Sequence, residues 1–299
     1  MSLRREVREV QIVQVLAYGI LLGGMYALLA SGVTLIFGVL DVVNVAQGAF
    51  LVMSALFTWQ VWSVTGIEPL LLIPVNAALL FVIGWIIYRG MVARVAPQGP
   101  SMTVLLMFGI ALVIEGTLNL VFGNKFKSVT PEYFTWSVKI GDIVLPVPQL
   151  ISGVLAIAIL GLIYVFLRVS WAGRAVRATA QNREGAALVG ISHKTASALA
   201  FGIGAATAGA GGVLLSIMYP VYPATQYDWI ARLLGIIVLG GLGSIPGAVA
   251  GSLLLGVMEA FAVTYVPQWS TLFFYGTILA ILVFRPQGLM GSVTREDVV

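Results

Sequence analysis

An all-α, polytopic membrane protein is the fold class this sequence predicts, and three observations predict it. Of 299 residues, 60% are hydrophobic and 9% are charged, against roughly 25% charged in an ordinary soluble domain. The charges are segregated: Lys194 and Asp228 bracket an uncharged run, and from Leu233 to Phe284 the only ionisable carboxylate is Glu259. Such runs exceed the ~20 apolar residues that cross a bilayer core. In lipid the backbone must satisfy its own polar groups, which leaves helices or a closed barrel. Long apolar runs, without short alternating segments, select helices.

Taken in order, apolar windows fall at 11–29, 31–40, 45–64, 70–88, 101–122, 149–167, 196–218, 231–244, 247–266 and 271–284. The opening MSLRREVREV has the basic region of a signal peptide. No small-residue cleavage site follows it, so the first window reads as an uncleaved span. Windows 31–40 and 231–244 are short and read as broken or re-entrant helices. Basic stretches occupy 89–100 (Arg89, Arg94) and 168–194 (Arg168, Arg174, Arg177, Arg183, Lys194), whereas 123–148 is rich in aromatics, Pro and Lys.

Counting all ten windows as crossings puts the N-terminal tail, 89–100, 168–194 and the C-terminal tail on one side, with twelve of the sixteen Lys and Arg. The positive-inside rule makes that side cytoplasmic. The alternative is eight spans with the N-terminus outside, which puts Arg4, Arg5 and Arg8 on the opposite face. Ten spans divide into two sets of five with inverted orientation, a common transporter design. The whole of 1–299 is then one transmembrane domain, with 168–194 a loop within it. The 34 glycines fit close helix packing, as in Gly19 with Gly23, Ala205 with Gly209 and Ala208 with Gly212.

Composition also removes whole classes of function. With no cysteine there are no disulfides, thiolate metal sites or cysteine nucleophiles. One histidine, His193, is too few for a histidine metal cluster, and lies beside Lys194 as a solvated loop residue. A net charge of +4 and a pI of 9.4 reflect loop bias; no basic patch interleaved with aromatics points to nucleic acid. An ATPase would need a Gly-rich loop ending in Gly-Lys-Ser or Gly-Lys-Thr, and Gly240-Gly241-Leu242-Gly243-Ser244 has no lysine. It reads as a tight membrane turn, so any ATP hydrolysis belongs to another polypeptide.

Several polar groups lie within apolar surroundings, where they are costly and tend to face protein or water. Asp41, Asn44 and Gln47 follow the second window; they either line a solute path or cap a broken helix. Glu115 and Asn119, four apart, form a second candidate pathway pair, and Glu259 reads as a structurally paired carboxylate. Tyr219, Tyr222 and Trp229 with Pro220 and Pro223 read as an aromatic belt on a rigid external turn. In 168–194, good helix formers give way to Gln181-Asn182-Arg183 and a short apolar helix ending at Gly190. That segment is either a docking surface or a connector whose arginines fix topology.

Glu184-Gly185-Ala186 with Gly190 matches the Glu-Ala-Ala, three residues, Gly pattern of binding-protein-dependent ABC permeases, with Gly185 in place of the middle Ala. The phrases ATAQNREGAALVGI, GAATAGAGGVLL, GGLGSIPGAVAGSLLLG and FRPQGLMG, and the early YGILLGGMYALLASGVTLIFGVLDVVNVAQGAFLVMSA, resemble the branched-chain amino-acid permease family from Tyr18 to Gly291. The resemblance implies a bacterial inner-membrane importer with a second related permease, two cytoplasmic ATPases holding ATP and Mg, an external solute-binding protein and surrounding lipid. This chain itself would bind no cofactor. Glu184, Gly185, Ala186, Ala187 and Gly190 would form the coupling helix that meets the ATPase. Solutes of such relatives include branched-chain and other amino acids, urea, amides and aromatic acids. The family often has His where this chain has Gln47. The competing readings are a self-sufficient secondary transporter or channel, and a membrane enzyme for which no catalytic set is present.

Overall fold

A computed structural model of the chain describes residues 2–290, with side chains from residue 10 onward. The C-terminal tail expected on the arginine-rich side, and Gly291, lie outside the described residues, as do the side chains of Arg4, Arg5 and Arg8. The chain forms α1 (Ser2–Leu40), α2 (Gln47–Thr65), α3 (Leu72–Ile87), a short α4 (Ala93–Val95) and α5 (Pro100–Phe122). An antiparallel hairpin, β1 (Ser137–Ile140) with β2 (Ile143–Pro146), precedes α6 (Val147–Val169). Two polar-faced helices follow, α7 (Trp171–Gln181) and α8 (Arg183–Leu188), then α9 (His193–Met218), α10 (Gln226–Gly240), α11 (Ile245–Tyr265) and α12 (Ser270–Phe284).

Among the described residues, eight helical segments are long and apolar enough to cross a membrane. The windows at 11–29 and 31–40 are one helix, because Ser31, at the gap between them, returns its hydroxyl to Leu28 O at 2.7 Å and keeps the turn closed. At 1.5 Å per residue, α1 runs for about 58 Å, so its two ends lie at opposite ends of the bundle. Its C-terminal end meets Arg183 of α8, while Gln11, Gln14 and Tyr18 border a cavity with Val144 and Pro146 of β2. The N-terminal end of α1 therefore lies at the hairpin end, opposite the arginine-rich segment; sharing a side with 168–194, as ten crossings required, is corrected. The 231–244 window belongs to α10, whose 15 residues span only about 22 Å.

Glycines set the packing. A Cβ on Gly19 would stand 2.6 Å from Val257 Cα, and one on Gly23 would stand 2.8 Å from Leu253 Cα. With Gly38 beside Gly243, these contacts lay α1 antiparallel along α11. The second long pair is α3 with α9: a Cβ on Gly209 would stand 2.5 Å from Asn76 O, and one on Gly84 would stand 2.7 Å from Ala205 Cβ. In each pair one member is central; α1 is 83% buried and α9 89% buried over their most apolar stretches.

The same relations recur in opposite orientation. α1, α2 and α3 correspond to α9, α10 and α11: α1 packs on α11 as α9 packs on α3, and α2 lies against α9 as α10 lies against α1. Helices α2 and α10 start against one another, where a Cβ on Gly48 would be 2.5 Å from Gln226 O. An inverted arrangement is present, but its unit is three helices rather than five, with α5 beside α2 and α12 beside α10.

Cysteine placed at Gln11 is expected to react with an impermeant maleimide from the same side as cysteine at Trp136, and cysteine at Val189 from the other side. Gly23→Val is expected to lower the unfolding free energy by about 1–3 kcal/mol through overpacking, read as a lower thermal midpoint of the detergent-purified chain.

Candidate functional site

The first polar cluster fills the break between α1 and α2. Asp41 closes α1 in the left-handed region, at φ 53°, with its amide still bonded to Phe37 O at 2.8 Å. Asn44 accepts the Ala46 amide at 3.1 Å and donates to Gln47 Oε1 at 3.1 Å. Gln47 donates to Gly204 O of α9 at 2.8 Å. Both side chains are buried, Asn44 at 1% and Gln47 at 0% exposure. The structure brings these two expected residues together as a strut that starts α2 on α9. Asp41 separates from them and lies on the exposed surface.

Glu115 of α5 meets the first turn of α10. Its carboxylate accepts from Gln226 Nε2 at 2.7 Å and from the Tyr227 hydroxyl, rather than from Asn119, which is half-buried one turn along α5. Gln226 is 3% exposed and Tyr227 43% exposed, so the cluster reaches from the interior to the bundle surface. Asp228 and Gly116 are exposed beside it, and nothing lies within 4 Å of a Cβ built on Gly116 or Gly109. A carboxylate and a tyrosine thus face outward from a membrane-spanning body. Such groups in membrane segments face water or another protein.

Glu259 is the structural carboxylate the sequence suggests, and its partner is Arg232. Arg232 and the Tyr26 hydroxyl both donate to Glu259, and Arg232 also donates to Tyr26 at 3.0 Å. The guanidinium lies 5.1 Å from the Phe274 ring centroid. Sequence reading passed over Arg232, Gln226 and Tyr227. Arg232 carried a signal: it is the one basic residue within the apolar stretch facing the lone carboxylate of 233–284. Trp229 is 6% exposed and packs on Tyr26 and Tyr219. It belongs to the interior, which corrects its place in an aromatic belt.

In the arginine-rich segment, Ser170 caps α7 by accepting the Gly173 amide at 2.9 Å, and Asn182 caps α8 by accepting the Gly185 amide at 2.9 Å. Gly190 ends α8 at φ 80°, a conformation that glycine reaches without strain. Glu184 lies in the first turn, at the positive end of the helix dipole. Ala186 points inward, 5% exposed. Gly185 is half-buried, and Glu184, Ala187 and Gly190 are exposed. Leu188 and Val189 are what protrude, at 89% and 74% exposure. Sequence alone does not say which side of a six-residue helix turns in. Arg183 ties the segment to α1, donating to Val39 O at 2.7 Å and pairing with Asp41 at 2.9 Å. His193 begins α9 half-buried, its Nδ1 3.3 Å from Ser197 Oγ, which corrects its solvated reading.

The hairpin end is pinned separately. Lys127 and Val221 exchange backbone bonds of 2.8 Å, and the Lys127 ammonium lies 4.1 Å from the Trp59 ring centroid. Tyr133 donates to Glu68 at 2.6 Å. Partial burial, and then that carboxylate, raise the Tyr133 pKa above the usual tyrosine value.

The family model described as branched-chain amino acid transport system / permease component matches residues 15–282. The chain is 29% identical to the high-affinity branched-chain amino acid transport system permease protein BraD of Pseudomonas aeruginosa, covering 95% of this chain and 97% of the relative. It is 27% identical to the corresponding LivH protein of Escherichia coli K12 over 94% and 96% of the two chains. To the probable LivH permease of Methanocaldococcus jannaschii it is 25% identical over 93% and 92%. No solved structure matches the chain.

Breaking the Arg232–Glu259 pair is expected to be costly in one direction only. Arg232→Met or Glu259→Leu alone leaves a buried charge and is expected to cost about 3–5 kcal/mol, whereas the double substitution recovers most of that loss. A double-mutant cycle on thermal or denaturant unfolding in detergent measures it; additive single losses contradict it.

Proposed function

We propose, from the premise that the chain belongs to the family of branched-chain amino acid transport system permease components, that it forms one wall of the import pathway for branched-chain amino acids. A second related permease supplies the other wall, and the whole sits in a bacterial inner membrane. The observation that carries this reading is the outward-facing Glu115, Gln226 and Tyr227 cluster. It places hydrogen-bonding groups and a carboxylate on a surface that lipid cannot cover favourably. Asn119 continues that line along α5. A carboxylate and a phenol can exchange hydrogen bonds with a passing ammonium group, and the apolar surface around them suits a branched side chain. Asn44 and Gln47 support the path from behind by fixing where α2 begins.

The arginine-rich end is cytoplasmic in this reading. Arg89, Arg94, Arg168, Arg174, Arg177, Arg183, Lys194 and Arg285 gather there, as the positive-inside rule requires. Leu188 and Val189, on the α8 frame of Glu184, Gly185, Ala186, Ala187 and Gly190, enter a groove on a separate ATPase subunit, which holds ATP and Mg. Motion of α8 reaches α1 through Arg183, whose bonds end on Val39 and Asp41. That end of α1 is also where the chain turns into α2, beside the strut. An external binding protein delivers solute at the hairpin end.

Uptake of radiolabelled leucine by vesicles holding the full complex is expected to be competed by valine and isoleucine and not by urea; competition by urea alone would overturn the solute class. Glu115→Leu is expected to lower that uptake by roughly tenfold, the scale of a lost charge-assisted hydrogen bond, without loss of assembly. Unchanged uptake would remove the α5–α10 face from the path. Leu188→Asp with Val189→Asp is expected to weaken ATPase retention by roughly tenfold or more, since each apolar anchor contributes about 1.5–3 kcal/mol. Normal copurification and normal solute-stimulated hydrolysis would make α8 a connector only.

A further inference from the structure

A groove of about 700 Å³ opens between α6, α7 and α11 at the arginine-rich end. Its floor is apolar. Leu167 of α6 forms one wall, and Ile245, Val249 and Leu253 of α11 form the other, a stripe four residues apart that runs for about 12 Å. That length is close to the ~15 Å of hydrocarbon in one leaflet. The rim is different in kind, being built from Arg168 and Arg177.

Neither arginine has a carboxylate partner among the described residues. Arg168 donates to the Tyr164 hydroxyl at 3.2 Å, and Arg177 donates to the Arg168 carbonyl at 3.2 Å. Both in-protein acceptors are neutral, and the groove lining contains no acidic residue. Two like charges thus line one groove, and among the described residues no carboxylate claims their remaining N–H donors. Their level is set by α7, whose Val176 is fully buried while Arg174 and Arg177 are exposed. Trp171 begins that helix at 70% exposure, as interfacial tryptophans do at the headgroup layer.

We propose that this groove binds an anionic glycerophospholipid, its phosphate on Arg168 and Arg177 and one acyl chain along the Ile245–Leu253 stripe. Arginine's planar fork suits a phosphate diester, and basic pockets between membrane helices take anionic headgroups by the same physics. A soluble anion would use the rim but leave the apolar floor wet. A zwitterionic lipid would fill the floor but leave the paired guanidinium charges uncompensated.

Native mass spectrometry of the full chain in detergent, titrated with phosphatidylglycerol, phosphatidylcholine or inorganic phosphate, tests this. Phosphatidylglycerol is expected to be retained well above phosphatidylcholine. Arg168→Gln with Arg177→Gln is expected to weaken that retention by about 30-fold, equivalent to two basic residues at ~1 kcal/mol each. Arg168→Lys with Arg177→Lys is expected to keep most of it. Val249→Trp, which fills the floor but keeps the rim, is expected to abolish lipid retention without changing the thermal midpoint of the lipid-free chain by more than a few degrees. Equal retention of the two lipids, equal retention in the double glutamine variant, or phosphate competing as well as lipid would overturn the proposal. So would crosslinking of cysteine at Ala250 to a companion protein in the assembled complex, since protein would then occupy the groove.

Discussion

Two helices of this protein begin in the middle of the bundle, and a helix can begin there only if its unpaired amides find partners inside the protein. That constraint organises everything around it. For α2 the partners come from Asn44, whose side chain accepts the Ala46 amide and whose carbonyl accepts the Gln47 amide, while the Gln47 side chain anchors the start by donating to the Gly204 carbonyl. For α10 they come from the preceding turn, whose Pro223 and Ala224 carbonyls accept the Gln226 amide while Thr225 and Tyr222 bond reciprocally. Both starts then need a neighbour that can come close, and Gly48 provides it by admitting the Gln226 carbonyl. Position 48 tolerates no Cβ for that reason. The long antiparallel pairs α1 with α11 and α3 with α9 hold the starts in place from either side.

Much of this was legible in the sequence, because membrane solvation imposes strong patterns. Apolar length gave helices, the Gly19 and Gly23 spacing gave a close helix contact, and Gly190 gave the end of a short helix in the positive-φ region. What the sequence concealed were matters of continuity and facing. A window boundary at Ser31 looks like an interruption until its hydroxyl is seen to fold back on Leu28. From that single misplacement came the reversed position of the N-terminus. Ala186 and Leu188 differ by two residues and point to opposite sides of a helix too short to show periodicity. Arg232 and Glu259 are 27 residues apart and on different helices, so only their joint scarcity in an apolar stretch linked them.

The contact between α8 and α1 combines two unequal parts. The Arg183–Asp41 pair is exposed, at 43% and 73% of the two side chains, and pairs of that kind contribute about 0–1 kcal/mol. The bond from Arg183 to the Val39 carbonyl meets one of the acceptors that every helix leaves open at its C-terminus. A hold of this strength joins the two segments without locking them rigidly. The positive φ of Asp41 lets the chain turn at that same point, so pull and pivot coincide.

Two carboxylates, one buried and one at the bundle surface, are compensated in different ways. Glu259 has a guanidinium against it, the familiar solution, in which one fixed charge answers another. Glu115 has none. It lies where α10 starts, and close by α2 starts as well, so the positive poles of two backbone dipoles, each equivalent to roughly half an elementary charge, converge on one region. The counter-charge of Glu115 is therefore spread over peptide groups that do not titrate and have no side-chain rotamers to change. Its strength depends on the two helices staying end to end, with the Gln226 and Tyr227 side chains closing on the same carboxylate.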